Sequence, residues 1–451
     1  MVALPPKLYV EQLGKRLKQA ARVAIRLPGQ KRIEALLQIQ KQLQEQRDAI
    51  VEANQRDVGN IPKDLDPQDY RLALERVRLT EDMIDEMNDD IQRLIESPDP
   101  IGAITQSWTT PDGLQVGWMR CPLGVIAVIT DLGPHMAVQA FSTCIKTGNL
   151  CLFRGGSEWM NTNAKVAQCI REALQRIGYP EDATILLDRQ EPEAALEAVR
   201  LTKYIDAAIA KGKPALRRGV REQARVPIIG DDGGVSHMYI DRDIEIPLAQ
   251  TLVVNAKVQD PAASNAIDTL LVHQAVARHV LPGLVRRLLE EFKVDVRGCP
   301  KTVSMMGVME MTGHLGVKPA SDQDWEQKFQ SLTLCIKIVR DLDEALDHIA
   351  QYGPGHTDAI VTRDYETAMR FIHEVDAGAV FVNASTRLHG GESLELGPQV
   401  GINSSRFHAR GPLTLHALTC QKIVALGTGQ LRQPHPIPQT YHDAMMLSPK
   451  F

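Results

Sequence analysis

At 451 residues, 43% hydrophobic and 24% charged, the chain is too long for one core and too apolar for a disordered or fibrous protein, so two or three globular domains are expected. Its formal charge of -5 is small, and the lysines and arginines are spread without a basic block, which argues against nucleic-acid or membrane-surface partners and for small-molecule chemistry. No uncharged apolar stretch reaches the roughly 18 residues of a membrane span. The opening residues, MVALPPKLYVEQ, lack the charged start and long apolar core of an export signal, so a cytoplasmic location is the expectation.

From Leu8 to Asp57 apolar residues recur at helical spacing, as in Ile33, Leu36, Leu37, Ile39, Leu43 and Ile50, broken at Pro28-Gly29. A second helical block runs from Tyr70 to Ile95 and stops at Ser97-Pro98-Asp99-Pro100. Trp108 to Met119 reads as a β-hairpin turning at Asp112-Gly113. Strands are then expected at Gly124–Ile129, Leu150–Arg154, Ala183–Leu187 and Ile205–Ala210, with helices at Met136–Thr147 and Asn161–Arg176. That alternation specifies a parallel, Rossmann-like sheet. A second α/β block is expected from Ile244, with strands at Leu252–Lys257, Leu270–His273, Cys335–Val339, Ala359–Val361 and Ala379–Val382. The proline-rich stretch Gln433–Gln439 reads as a surface extension.

Seven cysteines, Cys121, Cys144, Cys151, Cys169, Cys299, Cys335 and Cys420, form an odd set with no CxxC pair or zinc-ligand spacing. They read as reduced, mostly buried thiols, and no metal is expected. The dinucleotide fingerprint GxGxxG and the P-loop are both absent.

Longer strings carry the signal: Cys121-Pro122-Leu123-Gly124-Val125-Ile126, Lys146-Thr147-Gly148-Asn149, Arg154-Gly155-Gly156-Ser157-Glu158, Asn255-Ala256-Lys257 and Ser264-Asn265-Ala266. Gly355-His356-Thr357-Asp358-Ala359-Ile360-Val361-Thr362, Asn383-Ala384-Ser385-Thr386-Arg387 and His408-Ala409-Arg410-Gly411-Pro412 follow in order. From about residue 70 to residue 432 the chain thereby resembles the glutamyl phosphate reductases (glutamate-5-semialdehyde dehydrogenases) of the aldehyde dehydrogenase superfamily. The resemblance implies an α/β, aldehyde dehydrogenase-like fold. A Rossmann-like cofactor domain would comprise 1–107 and 122–243, an α/β catalytic domain 244–412, and a small β oligomerisation element 108–121 with 413–451. It also implies NADPH-dependent reduction of glutamyl 5-phosphate in proline biosynthesis, through a cysteine thiolate that displaces phosphate. A homodimer or tetramer is implied too, formed with itself or with an active homologue.

By that resemblance Ser264 stands at the cysteine position and His135 at an asparagine that donates to the oxyanion. Two readings of Ser264 follow: an ester-forming nucleophile that needs a base beside it, or a small polar group filling the thiol's place. Gly133 replaces an arginine, Asp260 another, Lys211 to Lys213 depart from an Arg-Gly-Gly pattern, and Lys328 falls where a glutamate holds the nicotinamide ribose. Arg154, Gly156, Ser157 and Glu158 keep cofactor positions. Asn265, His356, Thr357, Asp358, Ser385, Thr386 and Arg387 match positions around a glutamate-related substrate. The implied function is the reductase; the alternative is a catalytically inactive homologue with a ligand-binding, regulatory or scaffold role.

Overall fold

The computed structural model describes residues 4–230, 234–309, 316–353 and 355–431. The Gln433–Gln439 extension lies outside them. The chain opens with helices α1 (Pro6–Ala24), α2 (Gly29–Glu45), α3 (Arg47–Gly59), α4 (Pro67–Val77) and α5 (Glu81–Glu96). α5 buries one stripe, Ile84, Met87, Ile91 and Leu94, whereas α4 buries only Val77; side chains cap these two helices, Asp66 accepting from the Gln68 and Asp69 amides and Thr80 from that of Met83.

Strands β1 (Ile104–Thr109) and β2 (Gln115–Pro122) form the expected hairpin, with Gly113 at φ 85° in its turn. The first α/β unit then runs β3 (Val125–Thr130), α6 (Pro134–Lys146), β4 (Leu150–Arg154), α7 (Met160–Arg176), β5 (Thr184–Leu186), α8 (Pro192–Arg200), β6 (Ala207–Lys211) and α9 (Pro214–Gln223). Its sheet is parallel, in the order β5-β4-β3-β6. All six residues of β3 are buried, because helices cover both faces.

The second unit contains β7 (His237–Ile240), α10 (Ile246–Val258), β8 (Thr269–His273), α11 (Gln274–Glu290), β9 (Asp295–Gly298), α12 (Pro300–Met309), β10 (Lys318–Pro319) and α13 (Asp322–Glu326). It continues through β11 (Thr333–Val339), α14 (Leu342–Tyr352), β12 (Thr357–Val361), α15 (Tyr365–Glu374) and β13 (Ala379–Val382). Its parallel sheet has the order β10-β9-β11-β8-β7-β12-β13. The last segment forms β14 (Gln399–Asn403), β15 (Gly411–Thr414) and β16 (Thr419–Leu426). β16 returns to pair antiparallel with β2, making the three-stranded sheet β1-β2-β16.

Three expectations are corrected. Leu252–Lys257 is not a strand but the end of α10, whose Ala249, Val253 and Ala256 face the core; a short apolar run carries too little period to separate strand from helix. The second unit begins before Ile244, since β7 lies inside its sheet. Val400, Leu413, Leu415 and Leu418 pack in the core of the first unit, so β14, expected in the second unit, and the start of the expected oligomerisation segment both contribute to the first.

Of the seven cysteines, Cys144, Cys151, Cys169, Cys299 and Cys335 are buried. Cys121 and Cys420 are half-buried and face each other across β2 and β16, with sulfurs 3.4 Å apart. Burial also pushes the Cys169 thiol up to about 11 and that of Cys335 to about 12, so these are poor thiolates. A disulfide-exchange reagent is therefore expected to reach at most two thiols in the native protein and all seven after denaturation. A native count above two would show that the core admits reagent.

Candidate active site

A cavity of about 500 Å³ opens between the two α/β units. From the second unit Ser264, Asn265 and Arg387 border it, and from the first His135, Arg93 and Lys211. The structure thus brings together Ser264, His135, Asn265 and Arg387, four residues expected at the site from sequence.

Ser264 lies on the turn between α10 and β8, anchored by its carbonyl, which accepts from Ser236 Oγ at 3.4 Å. Among the described residues its hydroxyl has no hydrogen-bond partner, and no thiol borders the cavity. Two lysines, Lys257 buried and Lys328 half-buried, hold the turn from beneath. Lys328 Nζ donates to Ala266 O at 2.6 Å and to Asp268 Oδ2 at 2.8 Å, and Lys257 Nζ donates to Ile267 O at 3.1 Å. Lys328 therefore points under the turn instead of into the cavity, a correction to its expected place at the nicotinamide ribose.

Burial, offset in part by Asp268, pushes Lys257 down to about 8 from 10.5. Between those two values the unfolded chain holds a proton that the folded chain has released, so this group makes stability rise with pH across that window. Below pH 8 both states are protonated and the burial cost is complete. Relative to Lys257→Met, the wild type is expected to gain up to about 3 kcal/mol between pH 8 and pH 10.5, read from urea unfolding at both ends. A constant difference would refute the assignment.

His135 sits in the first turn of α6, where Pro134 pre-sets the helix. Its Nε2 is 2.6 Å from Asp90 Oδ2 on α5. Burial works to raise the Asp90 pKa, but His135 and Arg93 outweigh it, so the carboxyl stays below its usual range and ionised. An ionised carboxylate only accepts, so Nε2 carries the proton of this contact and Nδ1 is the ring nitrogen left over for the cavity. With Nε2 committed to Asp90, Nδ1 accepts hydrogen bonds in the neutral ring and can donate to an oxyanion only in the imidazolium. Next to it, a Cβ on Gly133 would lie 2.6 Å from Trp159 Cε2, so the indole fills the space a side chain there would need.

Arg387 is spoken for. Its Nε donates to Gln259 Oε1 at 2.7 Å, Nη1 to Asn265 Oδ1, and Nη2 lies 3.5 Å from Asp260 Oδ2. Asn265 Nδ2 in turn donates to His389 O at 3.0 Å. Because the Asp260 pair is half-exposed, Asp260→Ala is expected to tighten binding of a dicarboxylate such as glutamate by up to about fivefold, measured by calorimetry. Weaker binding would mean that Asp260 orients Arg387 instead of competing for it.

The other expected substrate contacts are placed elsewhere. Asp358 is buried in β12 and pairs with His237 Nδ1 at 3.0 Å. Thr357 Oγ1 bridges His356 Nδ1 at 2.6 Å and His389 Nδ1 at 2.7 Å in a buried chain; burial and the facing His389 hold His356 well below its usual value, hence neutral. Ser385 Oγ accepts from the Arg387 amide, and Thr386 is fully buried. These residues shape the wall behind the cavity. His389 borders it and was missed, although it lies two residues past Arg387. Asp90 and Arg93 were missed as well; their only signal was an acid and a base three apart on the polar face of a helix.

On the cofactor side, a second cavity of about 420 Å³ lies at the carboxyl ends of β3 and β6, bordered by Leu132, Trp159, Lys211 and His135. Gly156 lets its loop approach the Asp131 carbonyl, which a Cβ would meet at 2.5 Å. Arg154, expected at the adenosine ribose, instead donates to the Thr130 and Gln190 carbonyls, each at 3.3 Å. Glu158 pairs with Arg76 at 2.9 Å, and with Ser157 it borders a third cavity against α3 and α4. Among the described residues no group of three or more His, Cys, Asp or Glu is placed to hold a metal. None of the described helices is long and apolar enough to cross a membrane.

The aldehyde dehydrogenase family matches residues 8–306. Gamma-glutamyl phosphate reductase of Thermodesulfovibrio yellowstonii is 38% identical over 427 residues, covering 95% of this chain and 99% of the relative. The enzyme of the same name from Moorella thermoacetica is 40% identical over 427 residues, covering 94% and 99%. The crystal structure of gamma-glutamyl phosphate reductase from Thermotoga maritima superposes with a TM-score of 0.88 at 34% identity, covering 94% of this chain and 100% of that one. An acetylating aldehyde dehydrogenase from Geobacillus thermoglucosidasius shares the fold, with a TM-score of 0.66 at 16% identity. The chain belongs to the aldehyde dehydrogenase family and, within it, to the gamma-glutamyl phosphate reductases.

Proposed function

We propose that the chain is a glutamate-5-semialdehyde dehydrogenase, interconverting glutamyl 5-phosphate and glutamate 5-semialdehyde with NADP(H) in cytoplasmic proline biosynthesis. The observation that carries this reading is the near full-length similarity to gamma-glutamyl phosphate reductases, joined to a cleft in which Ser264, Asn265 and Arg387 face His135, Arg93 and Lys211. The test is NADPH oxidation on enzymatically generated glutamyl phosphate. Absence of turnover at high protein concentration removes the reading.

The residues at the carboxyl ends of β3 and β6 fit the cofactor. The sheet order reverses there, β4 lying to one side of β3 and β6 to the other, which is where open parallel sheets take nucleotides. Trp159 offers an aromatic surface and Lys211 a cation. The Glu158–Arg76 pair is exposed and worth at most about 1 kcal/mol, so it yields readily to a ligand. NADP(H), when bound, supplies the hydride.

Ser264 favours a second reading. A hydroxyl with no proton acceptor in hydrogen-bond reach does not readily capture an acyl phosphate, which supports a homologue that binds glutamate-related ligands without normal turnover. Calorimetry with NADP, glutamate and proline separates the two: binding without NADPH oxidation supports the second.

Self-association through the β1-β2-β16 sheet belongs to either reading. Its edge strands leave Ile104, Trp108, Ile423 and Leu426 exposed in the single chain, and unpaired edges of this kind are normally covered. Sedimentation is expected to give a dimer or tetramer.

A further inference from the structure

We propose that His135 is the general base of a hydrolytic activity in the interdomain cleft, with water attacking a small acyl phosphate and Asp90 acting as the positioning residue. This rests on the reading that the cleft admits an acyl phosphate; it adds a reaction needing neither thiol nor cofactor.

Three observations converge. First, Asp90 and His135 form a carboxylate–imidazole pair at 2.6 Å that bridges α5 and α6. In such a pair the carboxylate selects the tautomer, fixes the ring plane and stabilises the imidazolium that forms when the other nitrogen takes a proton. Second, the free nitrogen is presented to the cleft. Nδ1 has no partner among the described residues, the side chain is 46% exposed, and the ring borders both large cavities. The pair is therefore not a buried structural one such as His237–Asp358, whose side chains are 0% and 1% exposed. Third, the cleft offers no stronger nucleophile. None of the seven cysteines borders it, and no hydrogen bond joins His135 to Ser264. Water is the acceptor that a base at this place activates.

Cations for the phosphate are at hand on the rim in Arg93, Lys211 and Arg387. Arg93 is shared by Asp90 and Glu392 and Arg387 by Asp260, which favours a small substrate of modest charge. In the step itself the water oxygen bonds to the acyl carbon as its proton passes to Nδ1. The bond from that carbon to the phosphate oxygen then breaks, and phosphate leaves carrying the proton. One acyl phosphate and one water give one carboxylic acid and one inorganic phosphate, and the acid then releases its proton to solvent as the carboxylate, with no change of oxidation state.

The experiment uses the full chain without NADP(H), acetyl phosphate as substrate and phosphate release as the readout. The wild type is expected to exceed the buffer rate. His135→Asn should lose about 100-fold or more in kcat/KM, the usual scale of a general base. Asp90→Asn should lower kcat with KM little changed, and Asp90→Glu should recover most of it, which a merely structural role would not produce. Intact-mass spectrometry during turnover should show an unmodified chain. Wild-type inactivity, an unchanged His135→Asn variant that melts like the wild type, or an acetyl adduct on Ser264 would each overturn the proposal. NADPH oxidation is scored separately, so hydrolysis without reduction removes the reductase reading alone, and reduction without hydrolysis removes this one alone.

Discussion

Ser264→Cys alone is expected to leave NADPH-linked turnover about 100-fold or more below that of Ser264→Cys combined with His135→Asn. The thiol supplies the nucleophile: with a free pKa near 8.5 it is partly ionised at neutrality, whereas a serine hydroxyl is not. It does nothing for the oxyanion. At 135 the Asp90 carboxylate occupies the Nε2 proton, which leaves only Nδ1 for the cleft, a lone pair in the neutral ring, whereas an asparagine amide there offers a donor outright. Losing such a donor typically costs about 100- to 1000-fold, which sets the expected gap between single and double variant. A single variant running as fast as the double would refute this account of His135.

Restoring an arginine at 133 is a different matter, because the Trp159 indole fills that space. Gly133→Arg should destabilise unless Trp159 is truncated with it. Gly133 is thus tied to Trp159 by packing, and His135 to Asp90 by a hydrogen bond.

Much of the fold was legible in the residues because the strands of the first unit are buried on both faces and read as unbroken apolar runs, as in Val125 to Ile129. The hairpin announced itself through Asp112-Gly113. Legibility failed where a strand carries polar groups satisfied only by tertiary contacts. His237 in β7 is tolerable in a fully buried strand because Asp358 accepts from both its ring and its amide, at 3.0 Å each. Asp295 and Arg297 in β9 pair with each other at 3.1 Å, and Arg297 also reaches Asp324 at 2.5 Å. No local pattern discloses Asp358 for His237 or Asp324 for Arg297, partners that lie tens of residues away. The site shows the same division. Ser264 and Arg387 were found because whole strings surround them, while Asp90 was invisible until α5 was seen to pack against α6.

The support beneath Ser264 gives the second large effect. Lys328→Met is expected to cost about 3–5 kcal/mol, since it leaves the Asp268 carboxylate, 1% exposed, with the Ser236 and Phe329 amides as its remaining donors among the described residues. For a unit of this size that corresponds to a fall in Tm of about 10 °C. Burial pushes the Lys328 pKa down and Asp268 raises it in part, so the pair is held against its own desolvation. For that reason Lys328→Met with Asp268→Asn should be less damaging than Lys328→Met alone, the signature of coupling in a double-mutant cycle. Lys328 also grips the Ala266 carbonyl, two residues from Ser264, so the single variant should weaken glutamate binding in the cleft even where it remains folded. Additive losses in the double variant, or unchanged binding in a folded Lys328→Met, would place this lysine outside the machinery that shapes the turn.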